Sequence, residues 1–284
     1  MAPVAFPDLS KASKDLLSKD FPSGNVKLEV KTKTDNGVTF SVTGHQDSAS
    51  GAVFAETKVK YNDFQKGLTL TEAITTSNFL SAQVELEHPS TKGIKFDVLA
   101  SLSPATSQKS LLANVYYKHP NVHSRFNANL LKGPTFNADV VIGQDGVFVG
   151  GETGYDIEKG TVTKYNASVA YFHKDYTAAI HATSALSAFS ASYYHRVNPD
   201  VEAAAKVSWD SKAATNAVAV EIGTKAYLDR DTFVKAKIDN NGKLGLGYTQ
   251  LLRPGVKLSI GGAFDTAKLD QNAHKIGLAV VLEN

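Results

Sequence analysis

From residue 25 to the end of the chain, apolar and polar side chains alternate. Val26, Leu28, Val30 and Thr32 fall on one side, with Lys27, Glu29, Lys31 and Lys33 on the other. A period of two marks an extended strand, because successive side chains project to opposite faces. The pattern returns at Val38, Phe40 and Val42, at Leu80, Ala82, Val84 and Leu86, and at Ile94, Phe96, Val98 and Ala100. It recurs at Val201, Ala203, Ala205, Val207 and Trp209, at Val256, Leu258 and Ile260, and at Ile276, Leu278, Val280 and Leu282. Turn residues interrupt it at short intervals, as at Asn36-Gly37, Gln144-Asp145-Gly146, Asn198-Pro199-Asp200, Asn240-Asn241-Gly242 and Arg253-Pro254-Gly255. No stretch after residue 24 keeps a helical period, and no linker or low-complexity tract marks a second domain. The expectation is one all-β unit over residues 25–284.

Such alternation has two physical meanings. In a soluble sandwich the apolar faces meet in a core; in a membrane barrel they face lipid and the polar faces line a lumen. Strands of about 10 residues with short connections would fill the chain with roughly 18 to 20 strands, many for a two-sheet sandwich. The polar faces carry Lys and Glu in almost every strand, and the apolar faces are nearly free of charge. Tyr117, Tyr165, Tyr171 and Tyr248 suit interfacial girdles. Closure also removes the edges that a long open sheet would expose. These arguments favour the barrel and leave the soluble all-β protein as the rival. A helical membrane protein is excluded, since no run approaches 18 apolar residues. The mean hydropathy of −0.18 does not count against a barrel, because averaging hides alternation.

Residues 1–24 differ. Ala5, Leu9, Ala12 and Leu16 share one face at helical spacing, and Lys11, Lys14, Asp15 and Lys19 lie away from it. Pro7 and Asp8 suit a first turn, and Phe21-Pro22-Ser23-Gly24 stops the helix. The segment has no Arg and carries Asp8, Asp15 and Asp20, unlike a cleaved presequence, so it is expected to stay on the protein. Too short to stand alone, it must dock on something.

Catalytic chemistry has no foothold in the sequence. Zero cysteine excludes disulfides, thiolate metal sites and a cysteine nucleophile. His119 and His123 are four apart with Pro120 between them, in a turn rather than on a helix. Gly150-Gly151 and Gly245-Leu246-Gly247 open no helix and read as close backbone approach in a strand wall, not as a dinucleotide fingerprint. Asn166-Ala167-Ser168 is a formal glycosylation site in mid-strand, and no G-x-S-x-G elbow occurs. The chain reads as a non-enzyme. Lys+Arg 30 against Asp+Glu 28, a net charge of +2, argues against nucleic acid as partner.

Several stretches resemble the mitochondrial porins, the voltage-dependent anion channels, and look most like the fungal members. The run from Asp8 to Phe21 is similar to that family's N-terminal helix, and Lys31-Thr32-Lys33-Thr34-Asp35-Asn36-Gly37 to its first hairpin. Gly93-Ile94-Lys95 resembles its Gly-Leu-Lys signature. Leu244 to Gln250, Leu252 to Leu258 and His274 to Leu278 are similar to its late hairpin and final strand. The signature stretch matches at Asp229, Ala236, Lys237, Ile238, Asp239 and Asn240, and departs at Ala226, where the family has Tyr. At the position where some animal members carry a lipid-facing glutamate, the resemblance reads Gln65 here.

The resemblance implies a 19-stranded transmembrane β-barrel over residues 25–284 whose first and last strands are parallel. An amphipathic helix in residues 1–24 lies inside the pore, resting Leu9 and Leu16 on the wall. It implies a weakly anion-selective, voltage-dependent channel of the mitochondrial outer membrane for ions, small anionic metabolites and adenine nucleotides. Lys11, Lys14, Asp15 and Lys19 would act in gating and nucleotide contact. Lys31, Lys58, Lys60, Lys95, Lys118, Arg125, Lys235 and Lys237 would set lumen selectivity, with Lys27, Lys33, Lys206, Lys225 and Lys275 as further lining bases. Leu244, Gly245, Gly261 and Asp265 mark a late-hairpin nucleotide site. No cofactor is required, though NAD or ATP binding is in the family's range. So are homo-oligomers and contacts with cytosolic kinases or the mitochondrial import machinery. Two rivals stand beside this reading: the protein-translocating pore of the same membrane, which has a longer N-terminal extension, and a soluble β-rich binding protein, which would purify without detergent.

Overall fold

The computed structural model describes residues 2–48, 50–63, 65–87, 93–131, 133–213, 217–271 and 274–284. A 3-10 turn (Phe6–Asp8) and a helix, α1 (Lys11–Ser18), precede nineteen strands. These are β1 (Asn25–Lys33), β2 (Val38–Asp47), β3 (Val53–Asp63), β4 (Leu68–Thr75), β5 (Leu80–Leu86), β6 (Ile94–Ser103), β7 (Gln108–His119), β8 (Val122–Asn129), β9 (Thr135–Gln144) and β10 (Val147–Asp156). They continue as β11 (Thr161–Phe172), β12 (Tyr176–Thr183), β13 (Ala188–Asn198), β14 (Val201–Asp210), β15 (Val218–Asp229), β16 (Thr232–Asp239), β17 (Lys243–Arg253), β18 (Val256–Asp265) and β19 (Lys275–Glu283).

Each strand pairs antiparallel with the next, and β1 closes the sheet on β19. In an up-and-down meander an odd number of strands leaves the first and last pointing the same way. The closing pair is accordingly parallel, from Val26 opposite Leu278 to Lys31 opposite Glu283. Tight turns hold the register. At Asp145-Gly146 both central residues have positive φ (54° and 89°), the handedness that matches strand twist.

The ladder carries one facing pattern round the whole circle. Leu28 stands beside Val280, Val42 beside Thr57, Leu70 beside Val84, and Ile180 beside Ala191. These side chains face outward, and large apolar residues there are solvent-accessible: Ile142 and Ile180 are each 58% exposed and Ile222 is 55% exposed. A soluble monomer does not display a continuous apolar belt, so the solvent for this face is the lipid bilayer. The opposite parity points inward and is polar. With one face in lipid and one lining the lumen, the buried apolar clusters are small, and they form where the N-terminal segment meets the wall.

An outward carboxylate in mid-strand interrupts the apolar belt. Glu72 on β4 shares its parity with Leu70 and Ile74 and pairs across to Val59 and Ala82. Gln65, the residue expected at the lipid-facing acidic position, lies instead in the turn between β3 and β4. The outward carboxylate of this region is Glu72, seven residues further on.

Candidate functional site

The N-terminal segment crosses the lumen along the wall. Ala2 lies at the rim beside Lys118 and Gln144. Phe6 and Leu9 then pack with Val141 of β9, Phe148 of β10, Ala170 of β11 and Ala179 of β12. Leu16 and Leu17 of α1 pack with Ala204 of β14, with Tyr194 of β13 beside them. Leu9 is wholly buried and Leu16 is 4% exposed. The buried face differs from the sequence reading in detail: Ser13 and Leu17 are buried, while Ala12 is only half-buried. Ser13 is tolerated there because its hydroxyl donates to the Ser10 carbonyl at 2.9 Å. Lys11, Lys14 and Lys19 are exposed. Asp15 is bound by Lys19 at 2.8 Å, and Lys11 lies 3.7 Å from Asp8.

The wall is cut to receive this segment. A Cβ added at Gly223 would lie 2.7 Å from the Leu17 side chain, and one at Gly150 2.9 Å from Phe6. At Gly247 it would meet the Asp20 carbonyl oxygen at 2.4 Å, and at Gly261 the Pro22 carbonyl oxygen at 2.6 Å. At Gly277 it would meet the backbone of residues 22 to 25 at 2.8 Å. All five point inward, so the glycines form a track under the chain. The close approach expected for Gly150 and Gly247 therefore has a cause: the neighbour is the N-terminal segment.

Two lysines of β16 grip the end of α1. Lys235 Nζ donates to the carbonyls of Asp15 (3.1 Å) and Lys19 (2.7 Å), and Lys237 Nζ donates to that of Leu17 (2.7 Å). The last carbonyls of a helix lack intrahelical donors and carry partial negative charge, so ammonium groups satisfy them on both counts. Lys235 also lies 3.8 Å from Asp20, to which Lys257 donates at 3.1 Å, and Lys237 pairs with Glu221 at 2.9 Å. The Phe21 ring sits 5.1 Å and 5.0 Å from the two ammonium groups. Asp20, just past the helix, adopts left-handed φ (61°), the conformation that commonly ends a helix. The sequence places Lys235 and Lys237 among the lumen-lining bases. Both point inward, but α1 covers them, and Lys235 is only 4% exposed.

The remaining bases divide by partner. Lys27 and Lys31 share Glu29, each at 2.9 Å, and Lys95 meets Glu85 at 3.1 Å. Arg125 meets Asp139 at 2.6 Å, and Lys164 pairs with Glu152. The buried Asp97 accepts from Gln83 and Asn114. Lys58 and Lys60 on β3, Lys118 on β7 and Lys206 on β14 face inward with no ion pair among the described residues. Glu56, on the same face as Lys58, and Glu202, opposite Lys225, offset part of this surplus. Lys225 itself donates to the Tyr227 hydroxyl at 2.5 Å.

The late hairpin does not form an open nucleotide site. Leu244 has the outward parity of Leu246, and Gly261 lies under Pro22. A Cβ on Gly245 would meet the Lys237 side chain at 2.9 Å. Asp265 stands opposite Lys243 at the strand ends. Only Gly245, Gly261 and Asp265 face inward, and the first two are covered. Sequence reasoning missed Asp20, Phe21 and Lys257 as parts of the helix anchor. The available signal was the set of inward glycines Gly245, Gly247, Gly261 and Gly277, which leaves the wall open to a covering chain.

Comparison with known proteins agrees with this architecture. The sequence profile described as eukaryotic porin matches residues 2–277. The chain is 43% identical over 290 residues to the mitochondrial outer membrane protein porin of Neurospora crassa, covering 100% of both. It is 35% identical over 285 residues to the voltage-dependent anion-selective channel of Drosophila melanogaster, again covering 100% of both. In fold alone it is similar to a triple mutant of the Rhodopseudomonas blastica porin, with a TM-score of 0.50 and 10% identity over 92% of this chain and 96% of that one. With a barrel of this topology and relatives this similar along the whole length, the chain belongs to the eukaryotic porin family.

Proposed function

We propose that this barrel is a diffusion channel of the mitochondrial outer membrane, voltage-gated and weakly anion-selective, and not an enzyme. Membrane, gating and transport follow the names of the relatives that match over the full length. The anion preference rests on one observation. Glu29, Glu85, Asp139, Glu152 and Glu221 each have a base, while Lys58, Lys60, Lys118 and Lys206 have no ion-pair partner among the described residues and keep their charge in the lumen. An aqueous pore with surplus fixed positive charge lowers the energy of anions within it. At physiological salt the field decays over about 8 Å, so a wide lumen gives a preference rather than exclusion. Small anionic metabolites and adenine nucleotides are its solutes, and α1 narrows their path.

Planar-bilayer recording in a potassium chloride gradient tests this reading. The reversal potential should indicate anion preference, and the preference should weaken as salt rises at a fixed gradient ratio, because screening shortens the reach of the lysines. No conductance would remove the channel reading. Conductance with cation preference would remove the electrostatic one.

A further inference from the structure

One end of the barrel carries a packed group of rings on its outer face. Tyr193 and His195 of β13 share the outward parity of Ala191, and His195 stands opposite Tyr176, the first residue of β12, so the group lies at the rim of the apolar belt. The Tyr193 hydroxyl is 3.0 Å from His195 Nδ1. Tyr176 holds that pair in place. Its ring is stacked on His195 at 6.3 Å and lies 6.2 Å from Tyr193, and it is packed in turn by Tyr171 at 5.8 Å and His173 at 4.7 Å. Tyr193 is nonetheless 44% exposed, on the side that faces lipid. A tyrosine two residues before a polar side chain also occurs on the outer face at Tyr248 and Tyr117, with different geometry. Tyr248 donates to Gln250 Oε1 at 3.1 Å, an amide oxygen that does not take up a proton near neutrality. Tyr117 is stacked on His119 at 6.3 Å, with no hydrogen bond between the two.

A phenol is oxidised most readily when its proton has somewhere to go as the electron leaves. A neutral imidazole carrying its proton on Nε2 presents Nδ1 as that base. We propose that Tyr193, with His195 as its base, is a chain-breaking hydrogen donor to lipid peroxyl radicals in the surrounding bilayer. The oxidant is the radical formed when oxygen adds to an oxidised polyunsaturated acyl chain, and its polarity draws it from the hydrocarbon toward the depth of the rim. Tyr193 gives one electron to the peroxyl oxygen and its proton to His195 Nδ1, and His195 returns the proton to the hydroperoxide anion. The phenol O–H bond breaks, the O–H bond of a lipid hydroperoxide forms, and a tyrosyl radical remains. An aqueous ene-diol reductant such as ascorbate restores the phenol at the rim by giving one electron and one proton. The activity uses the outer face alone and is independent of transport through the lumen.

The full chain in vesicles of dilinoleoyl phosphatidylcholine, oxidised with a lipid-soluble azo initiator and no added reductant, tests this. Tyr248 is the internal control: like Tyr193 it faces outward, lies five residues before the end of its strand and has a hydrogen bond two residues along, and only the acceptor differs. A positioned base speeds proton transfer by about 100-fold or more, so peptide mass spectrometry should show Tyr193 lost at least about tenfold faster than Tyr248. His195→Gln gives Tyr193 the acceptor that Tyr248 has, and should bring the two rates within about twofold of each other. Tyr193→Phe should shorten the lag before conjugated dienes appear by about half, while Tyr248→Phe should leave it nearly unchanged. Heat-modified gel mobility checks that each variant is folded. Equal loss of Tyr193 and Tyr248 would mean that position at the rim alone sets oxidation. Unchanged loss of Tyr193 in His195→Gln would mean that the imidazole is not the base. Either result overturns the proposal.

Discussion

Lys60 and Lys235 are the same residue type with the same inward parity, yet their surroundings give them different work. Lys60 has no carboxylate partner among the described residues, and its charge adds to the lumen field. Lys235 spends its donors on the carbonyls of Asp15 and Lys19. Lys60→Glu should therefore shift the reversal potential toward cations, because it changes lumen charge by two. Lys235→Met should shift it less, while leaving buried carbonyls unsatisfied at a cost of about 1–3 kcal/mol to the docked helix. The chain has no native cysteine, so Ser13→Cys, placed under the helix, reports docking cleanly. Its reaction with a thiol reagent should be slow alone and faster with Lys235→Met. If Lys235→Met moves selectivity as far as Lys60→Glu and leaves thiol labelling unchanged, the division of roles is wrong. Alternation in the sequence could place both lysines on the inner face and could go no further. Which lysine is covered depends on a segment more than 200 residues away in the chain, and period two holds no information about that. Leu244 shows the opposite: the motif resemblance names it as a site residue, while its parity with Leu246 turns it outward.

At the scale of elements, α1 is eight residues long, below the length at which a helix is stable by itself in water. It persists because it is held at both ends of its path: by Phe6 and Leu9 packed on the wall, and by the β16 lysines at its C-terminus. The amphipathic spacing revealed Leu9 and Leu16, since three- and four-residue steps mark one face. It did not reveal Ser13, which is polar by type but satisfied locally. Nor did it reveal the glycine track, whose members read one at a time as weak strand residues. Leu16→Asp places a carboxylate in the buried contact, which costs on the order of a few kcal/mol to keep docked. The barrel is closed by its own ladder and should still insert. Single-channel recording of Leu16→Asp should show altered conductance or voltage response, with Lys14→Asp, on the exposed side, disturbing docking less. Gly247→Val should act like Leu16→Asp, because its Cβ would lie 2.4 Å from the Asp20 carbonyl. Wild-type traces from Leu16→Asp and Gly247→Val together would show that α1 is not held in the path by this seat.

At the scale of the whole molecule, the barrel turns a weak local signal into a strong global one. A single alternating strand fits a sandwich as well as a barrel; nineteen in sequence order, with nearly all charges on one parity, leave the sandwich without a way to bury its edges. The strand number itself came from resemblance, since periodicity alone allowed a range, and the parallel β1–β19 closure follows once the number is odd. Against this consistency Glu72 stands out: a carboxylate in the middle of β4 on the lipid face, between Leu70 and Ile74 and across from Val59. A charge held in the hydrocarbon region destabilises an outer-membrane-type barrel, by less for Glu than the 2–4 kcal/mol or so of a basic residue at mid-depth. Glu72→Gln keeps the size of the side chain and removes the charge, so it should raise the stability of the folded barrel by about 1–2 kcal/mol, read as a higher midpoint in urea unfolding from lipid vesicles with an unchanged slope. Gln65→Glu, in the β3–β4 turn at the rim, should leave the midpoint within about 0.5 kcal/mol of wild type, because the added charge stays in water. Equal midpoints for wild type and Glu72→Gln would show that the carboxylate is not in contact with lipid, and the outward assignment of that face of β4 would have to be given up.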